Sequence, residues 1–168
     1  IKFAYGRRIG WYAFVRILKP KLIIETGVDQ GVGSCVLTSA LLRNKQEGFQ
    51  GSYLGTDINK QAGKLLKKPY SSVGKILYGD SIESLTKIKD RIDIFINDSD
   101  HSSEYEFQEY LTIEERISPD SIILGDNSHF TNCLSKFSKK TNRNFLFFKE
   151  IPKNHWYPGA GIGISFGK

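Results

Sequence analysis

The chain has 168 residues, 39% hydrophobic and 25% charged, with a net charge of +6 and a pI of about 9.2. That size and balance suit one globular domain spanning 1–168 and exclude a disordered or fibrous polypeptide, and no apolar run nears the roughly 18–20 residues needed to cross a bilayer. The two cysteines, Cys35 and Cys133, stand in no CxxC or zinc-like spacing, which reads as reduced thiols in a cytoplasmic protein without a membrane anchor.

The chain begins with Ile rather than Met, which leaves room for an N-terminal piece; only "IKFAYGRRIGWYAFVRILKP" precedes the first strand, little from which to build a lid. "KLIIETG" (21–27) reads as a strand ending in Gly, and "SCVLTSALLRN" (34–44) carries apolar residues at helical spacing. "SYLGTD" (52–57) is a second strand and "NKQAGKLLKK" (59–68) a second helix. "GKILYGD" (74–80) is a third strand, followed by a short helix from Ser81. "RIDIFIND" (91–98) is a fourth strand, "SSEYEFQEYLTIEERI" (102–117) a long helix, and "SIILGDN" (121–127) a fifth strand. A polar helix follows at 129–140, and "NFLFFKEI" and "GIGISFGK" close the chain as two strands.

Alternating strands and helices predict an α/β, Rossmann-like, doubly wound sheet of seven strands, mainly parallel, with an antiparallel C-terminal edge. In such sheets a ligand sits at the carboxyl ends of the strands, near the switch in strand order. The residues just after each strand are therefore the candidates. "ETGVDQGVGS" follows the first strand, with Glu25, Gly27, Gly31 and Ser34; glycines there let the backbone approach a ligand and open a helix. Asp57 follows the second, where an acid accepts hydrogen bonds from ribose hydroxyls or caps the next helix. Asp80 and Ser81 follow the third, again as a cap or as a contact to a nucleobase.

"FINDSDHSSEY" follows the fourth strand and crowds Asp98, Asp100 and His101 into four positions. "GDNSH" follows the fifth, with Asp126 and Asn127. The fourth and fifth strands should be neighbours, so Asp98, Asp126 and Asn127 can supply three oxygens to a hard cation such as Mg²⁺, which removes the repulsion between the two carboxylates. The competing reading is an Asx turn at 126–127 and a simple cap at Asp98.

The chain resembles the class I S-adenosylmethionine-dependent methyltransferases from about Leu22 onward. "ETGVDQGVGS", "GTDIN", "YGDSIESL", "FINDSDHSSEY" and "ILGDNSH" carry the likeness. It is similar to the metal-dependent small-molecule and sugar O-methyltransferases of the macrocin type, which have D-x-D after the fourth strand. The resemblance implies that Glu25, Gly27 and Gly31 line the methionine part of the cofactor, with Ser34 and Asp98 beside it. It implies that Asp57 holds the ribose and that Asp80 and Ser81 approach the adenine. Asp98, Asp126 and Asn127 would hold Mg²⁺, and Asp100 or His101 would be the general base. The acceptor would be a hydroxyl of a small molecule, a sugar or natural product; a homo-oligomer stays open.

Departures exist too. Catechol-type enzymes often carry a Lys near the first metal Asp, where this chain has Ser99, Asp100 and His101. His155, Trp156 and Tyr157 before a Pro-Gly turn are either an acceptor wall or packing residues. The lysine clusters at 60–68 and 136–140 raise an RNA methyltransferase as an alternative, but no aromatic residues interleave with them and no N-P-P-Y motif occurs. A metal-independent small-molecule methyltransferase is the other alternative. An NAD enzyme would want G-x-G-x-x-G and Tyr-x-x-x-Lys, and neither is present.

Overall fold

The computed structural model describes residues 8–154 and 159–168. Seven strands make one sheet: β1 (Leu22–Thr26), β2 (Ser52–Asp57), β3 (Gly74–Tyr78), β4 (Ile94–Asn97), β5 (Ile122–Gly125), β6 (Asn144–Lys149) and β7 (Gly161–Phe166). Their order in space is β3-β2-β1-β4-β5-β7-β6. The first five run parallel, and β7 is antiparallel to both β5 and β6. The late antiparallel pair lies at one edge as the sequence predicts. Within it β6 is outermost and the last strand sits inside.

Five α-helices cover the sheet: α1 (Arg8–Leu18), α2 (Val32–Gln46), α3 (Ser81–Lys87), α4 (Ser103–Ile113) and α5 (Cys133–Lys140). Successive strand residues point to opposite faces, so an apolar run serves two cores. Leu22, Ile24, Phe95 and Ile123 pack with Leu85, Tyr110, Ile113, Leu134 and Phe137 from α3, α4 and α5. Ile23, Ile94, Ile96 and Leu124 pack with Trp11, Val15, Leu37 and Leu41 from α1 and α2. Each such side chain, fully buried, contributes about 1.5–3 kcal/mol.

Two local elements differ from the sequence expectation. Residues 59–68 form turns rather than a helix. The backbone N–H groups of Gly63 and Leu65 donate to the Asp29 and Gln30 carbonyls (2.6 and 3.1 Å), so two amides that a helix would use internally tie this segment to the loop after β1. The helix α1 has no counterpart in the sequence reading. It lies on α2, where Asn44 Nδ2 donates to the Val15 carbonyl (2.8 Å) and Arg16 donates to Glu47 (2.8 Å).

Register decides where the site falls. Thr26 is paired with Thr56 on one side and Asn97 on the other, and Asn97 is paired with Gly125. The residues that follow Thr26, Thr56, Asn97 and Gly125 are Gly27, Asp57, Asp98 and Asp126. Four positions that the sequence scatters over a hundred residues therefore stand in one row, on either side of the switch between β1 and β4.

Candidate active site

That row opens on a cleft of about 550 Å³, in the range of small-ligand sites. It is lined by Arg8, Gly27, Asp29, Thr56, Asp57, Ile58, Gly79, Asp80, Ser81, Asp98, Ser99, Asp100 and Tyr105. Of the residues expected at a site, Gly27, Asp57, Asp80, Ser81, Asp98 and Asp100 meet here. Glu25, Gly31, Ser34, His101, Asp126 and Asn127 stand behind the cleft or beside it.

Gly27 has φ +79°. A Cβ there would lie 1.9 Å from the Asp98 carbonyl oxygen and 2.9 Å from the Ser99 Cα. The loops after β1 and β4 thus touch backbone to backbone, which only glycine allows. Gly31 is the N-cap of α2, also left-handed at φ 92°.

Asp57 caps no helix, because none follows it. Its Oδ2 accepts from the amides of Val28 (3.1 Å) and Asp29 (3.0 Å), and its Oδ1 accepts from the Asn59 amide (2.8 Å). The carboxylate ties the glycine loop to the end of β2 and still faces the cleft. Of the two readings of Asp80, the structure shows the helix cap. Asp80 caps α3 by accepting from the Glu83 amide (2.8 Å), lines the cleft, and takes a hydrogen bond from the Tyr105 hydroxyl (2.8 Å). These hydrogen bonds, the Glu83 amide foremost, hold its carboxyl below the usual range.

Glu25 is buried and does not line the cleft. Its Oε2 accepts from the Tyr53 hydroxyl and from Ser34 Oγ (3.4 Å). Burial pushes its carboxyl up to about 7. Ser34 is fully buried and also meets the Tyr53 hydroxyl at 2.7 Å, so it holds Glu25 rather than facing the cleft.

Asp98 lies in the row beside Asp126, and the two carboxyls share a hydrogen bond. Burial first, then the negative Asp126, raise Asp98 well above the usual carboxylate range. Asn127 is fully buried; its Nδ2 donates to the Asp100 carbonyl (3.1 Å), and its Oδ1 has no hydrogen-bond partner. Two carboxyls held together and one buried, unsatisfied amide oxygen form an oxygen-only donor set that suits a hard cation. Among the described residues no three His, Cys, Asp or Glu side chains gather as a metal site.

Asp100 lines the cleft, and its Oδ1 accepts from the Ser102 amide at 2.6 Å, which holds its carboxyl below the usual range. His101 is exposed and packs edge-on to Phe130, ring centroids 6.2 Å apart. His155, Trp156 and Tyr157 lie outside the described residues.

Arg8, Trp11, Tyr105 and Glu109 receive no role in the sequence reading. Glu109 is fully buried on α4 and accepts from Thr26 Oγ1 (3.0 Å), Ser99 Oγ (2.8 Å), Ser81 Oγ and Asn97 Nδ2. One carboxylate thereby fixes β1, β4, α3 and the loop carrying Asp98. The available signal is an acid at a core position: Glu106, Glu109, Tyr110 and Ile113 repeat at helical spacing, and all four are buried.

Residues 24–128 match a family described as a methyltransferase domain. The chain belongs to that methyltransferase family. The matched span runs from β1 past Asn127, so the strand-end row falls inside it. No curated protein matches the chain. The O-methyltransferase TomG from Streptomyces achromogenes, involved in tomaymycin synthesis and solved with S-adenosylmethionine, is similar with a TM-score of 0.77 at 10% identity, over 99% of this chain and 82% of its own. An O-methyltransferase from Bacillus cereus, solved with S-adenosylhomocysteine, gives 0.74 at 12% identity, over 99% and 83%. An rRNA methylase from Streptococcus thermophilus gives 0.68 at 10% identity, over 98% and 99%. At such identities the likeness is one of fold, the class I fold of S-adenosylmethionine-dependent methyltransferases. No described helix of this methyltransferase is long and apolar enough to cross a membrane.

Proposed function

We propose that this methyltransferase moves the methyl group of S-adenosylmethionine to a hydroxyl of a small molecule, a sugar or natural product, with Mg²⁺ assisting. The observation that carries the reading is the row Gly27, Asp57, Asp98 and Asp126 beside one cleft at the switch point. Bound S-adenosylmethionine supplies a methyl group on a sulfonium leaving group. Asp57 accepts the ribose hydroxyls, and Asp80 and Ser81, tied together by Tyr105, face the adenine. Gly27 and Gly31 let the backbone run close to the methionine half, with Glu25 beneath it. Alignment of donor and acceptor is the main task of such a site.

Asp98, Asp126 and Asn127 would hold the Mg²⁺ ion, which lowers the pKa of a hydroxyl bound beside it. Proton removal falls to Asp100 or His101. Asp100 lines the cleft, where the Ser102 amide stabilises its carboxylate and so weakens it as a base; His101 is the next residue and stands beside the cleft, against Phe130. The positive net charge and the lysine clusters support the RNA alternative; the acid-lined cleft disfavours a phosphate backbone.

The test is release of S-adenosylhomocysteine from S-adenosylmethionine with sugar and phenolic acceptors, before and after EDTA and after Mg²⁺ is restored. Turnover with a hydroxyl acceptor that EDTA removes and Mg²⁺ restores is expected. Turnover unaffected by EDTA would remove the metal from the reading, and turnover on RNA alone would replace the acceptor class.

A further inference from the structure

The cleft carries an imbalance of charge. Asp29, Asp57, Asp80, Asp98 and Asp100 line it, and among the described residues Arg8 is the only cationic side chain that does. Arg8 is the first residue of α1, which is fixed from behind. Trp11 is 1% exposed and sits so close to Gly33 that a Cβ there would lie 2.9 Å from its ring and 2.1 Å from Glu25 Oε1. The Arg8 guanidinium lies over the Trp11 ring, 5.4 Å from its centroid, a favourable place for a cation. From there Nη2 reaches to 3.9 Å from Asp98 Oδ2. That distance is an ion pair but not a hydrogen bond. The buried Arg8 Nε has no hydrogen-bond partner either. A guanidinium with five donors is thus held at the β1–β4 switch with donors to spare.

The methionine half of S-adenosylmethionine carries a sulfonium, an ammonium and a carboxylate. The two positive groups suit an acidic cleft. The carboxylate is repelled by that cleft everywhere except beside its single cation. We infer that Arg8 binds the α-carboxylate of the cofactor's methionine half. The assignment rests on the S-adenosylmethionine reading above, and it gives α1 a part in cofactor binding. A planar, permanently charged fork is the side chain best matched to a carboxylate.

The measurement is calorimetric affinity for S-adenosylhomocysteine and for its decarboxylated analogue, which carries a propylamine in place of the amino-acid end. Acceptor and metal are left out, so an anionic acceptor cannot supply the signal. Wild type should prefer S-adenosylhomocysteine by about 10- to 100-fold, the scale of one charge-assisted hydrogen-bonded pair. In Arg8→Ala that preference should fall to within about threefold, with the analogue bound as well as by wild type. Arg8→Gln, which keeps a side chain over Trp11, should behave likewise, and Arg8→Lys should retain part of the preference. Because the readout is a ratio within each variant, a general loosening of α1 moves both affinities together. Equal weakening of both ligands, or a preference unchanged in Arg8→Ala and Arg8→Gln, overturns the assignment. If wild type binds neither compound, the S-adenosylmethionine reading fails first and the assignment falls with it.

Discussion

Asp126→Ala should reduce acceptor methylation by about 10²–10³-fold or more, while S-adenosylhomocysteine binds within about threefold of wild type. The split follows from place. Asp126 stands one strand beyond Asp98, next to the buried Asn127, and does not line the cleft. Its removal leaves Gly27, Asp57 and Asp80 as they are. The fold should tolerate the change. Asp98 has a folded-state pKa raised above its unfolded value by burial and by Asp126. A carboxyl raised in this way costs stability as pH climbs from the unfolded value toward the folded one, because the folded chain holds a proton that the unfolded chain releases. Taking Asp126 away lowers that cost, so urea denaturation near pH 7.5 should show a stability equal to wild type or higher by about 1 kcal/mol. A variant that loses cofactor affinity and melts early would make Asp126 a structural residue instead.

Gly27→Ala should destabilise the protein by about 3–5 kcal/mol and lower the melting temperature by roughly 10 °C. Two costs combine: a left-handed backbone for a residue with a Cβ, and a carbon placed 1.9 Å from the Asp98 carbonyl oxygen. The second is not relieved by a side-chain rotation, because backbone meets backbone. Any relief pushes the loop after β4 away from β1 and displaces Asp98 and Ser99. Gly48→Ala separates the terms: its φ is +91°, yet nothing lies within 4 Å of the added carbon. That variant should cost only about 1–2 kcal/mol. Thermal melts of the two read the difference. Equal shifts would mean that the loops are not held in contact at Gly27.

The strands were legible because both faces of the sheet are covered, so runs such as Leu22–Ile24 and Ile94–Ile96 are apolar without alternation. The acids at their ends stood out against those runs. Asp57, Asp98 and Asp126 could be picked one by one, and strand register then set them in line. What was not legible depends on partners far away in sequence. Residues 59–68 have leucines and lysines at helical spacing, but the Asp29 and Gln30 carbonyls take the amides that a helix would use. The first helix carries Trp11 and Val15 on one face, and only its seat on α2 shows why. Arg8 gains meaning from that seat alone. Glu109 looked like one acid in a polar helix, and its four donors come from three other elements and a loop.

The central claim is that the cleft at the β1–β4 switch takes the S-adenosyl cofactor, with Asp57 at its ribose. Calorimetry of the wild-type protein with S-adenosylhomocysteine tests it most directly, with NAD as the control ligand and Asp57→Ala as the control protein. Micromolar one-to-one binding of S-adenosylhomocysteine is expected, weakened at least about 100-fold by Asp57→Ala, with no binding of NAD. Absence of S-adenosylhomocysteine binding to the wild type, or equal affinity in Asp57→Ala, would contradict it.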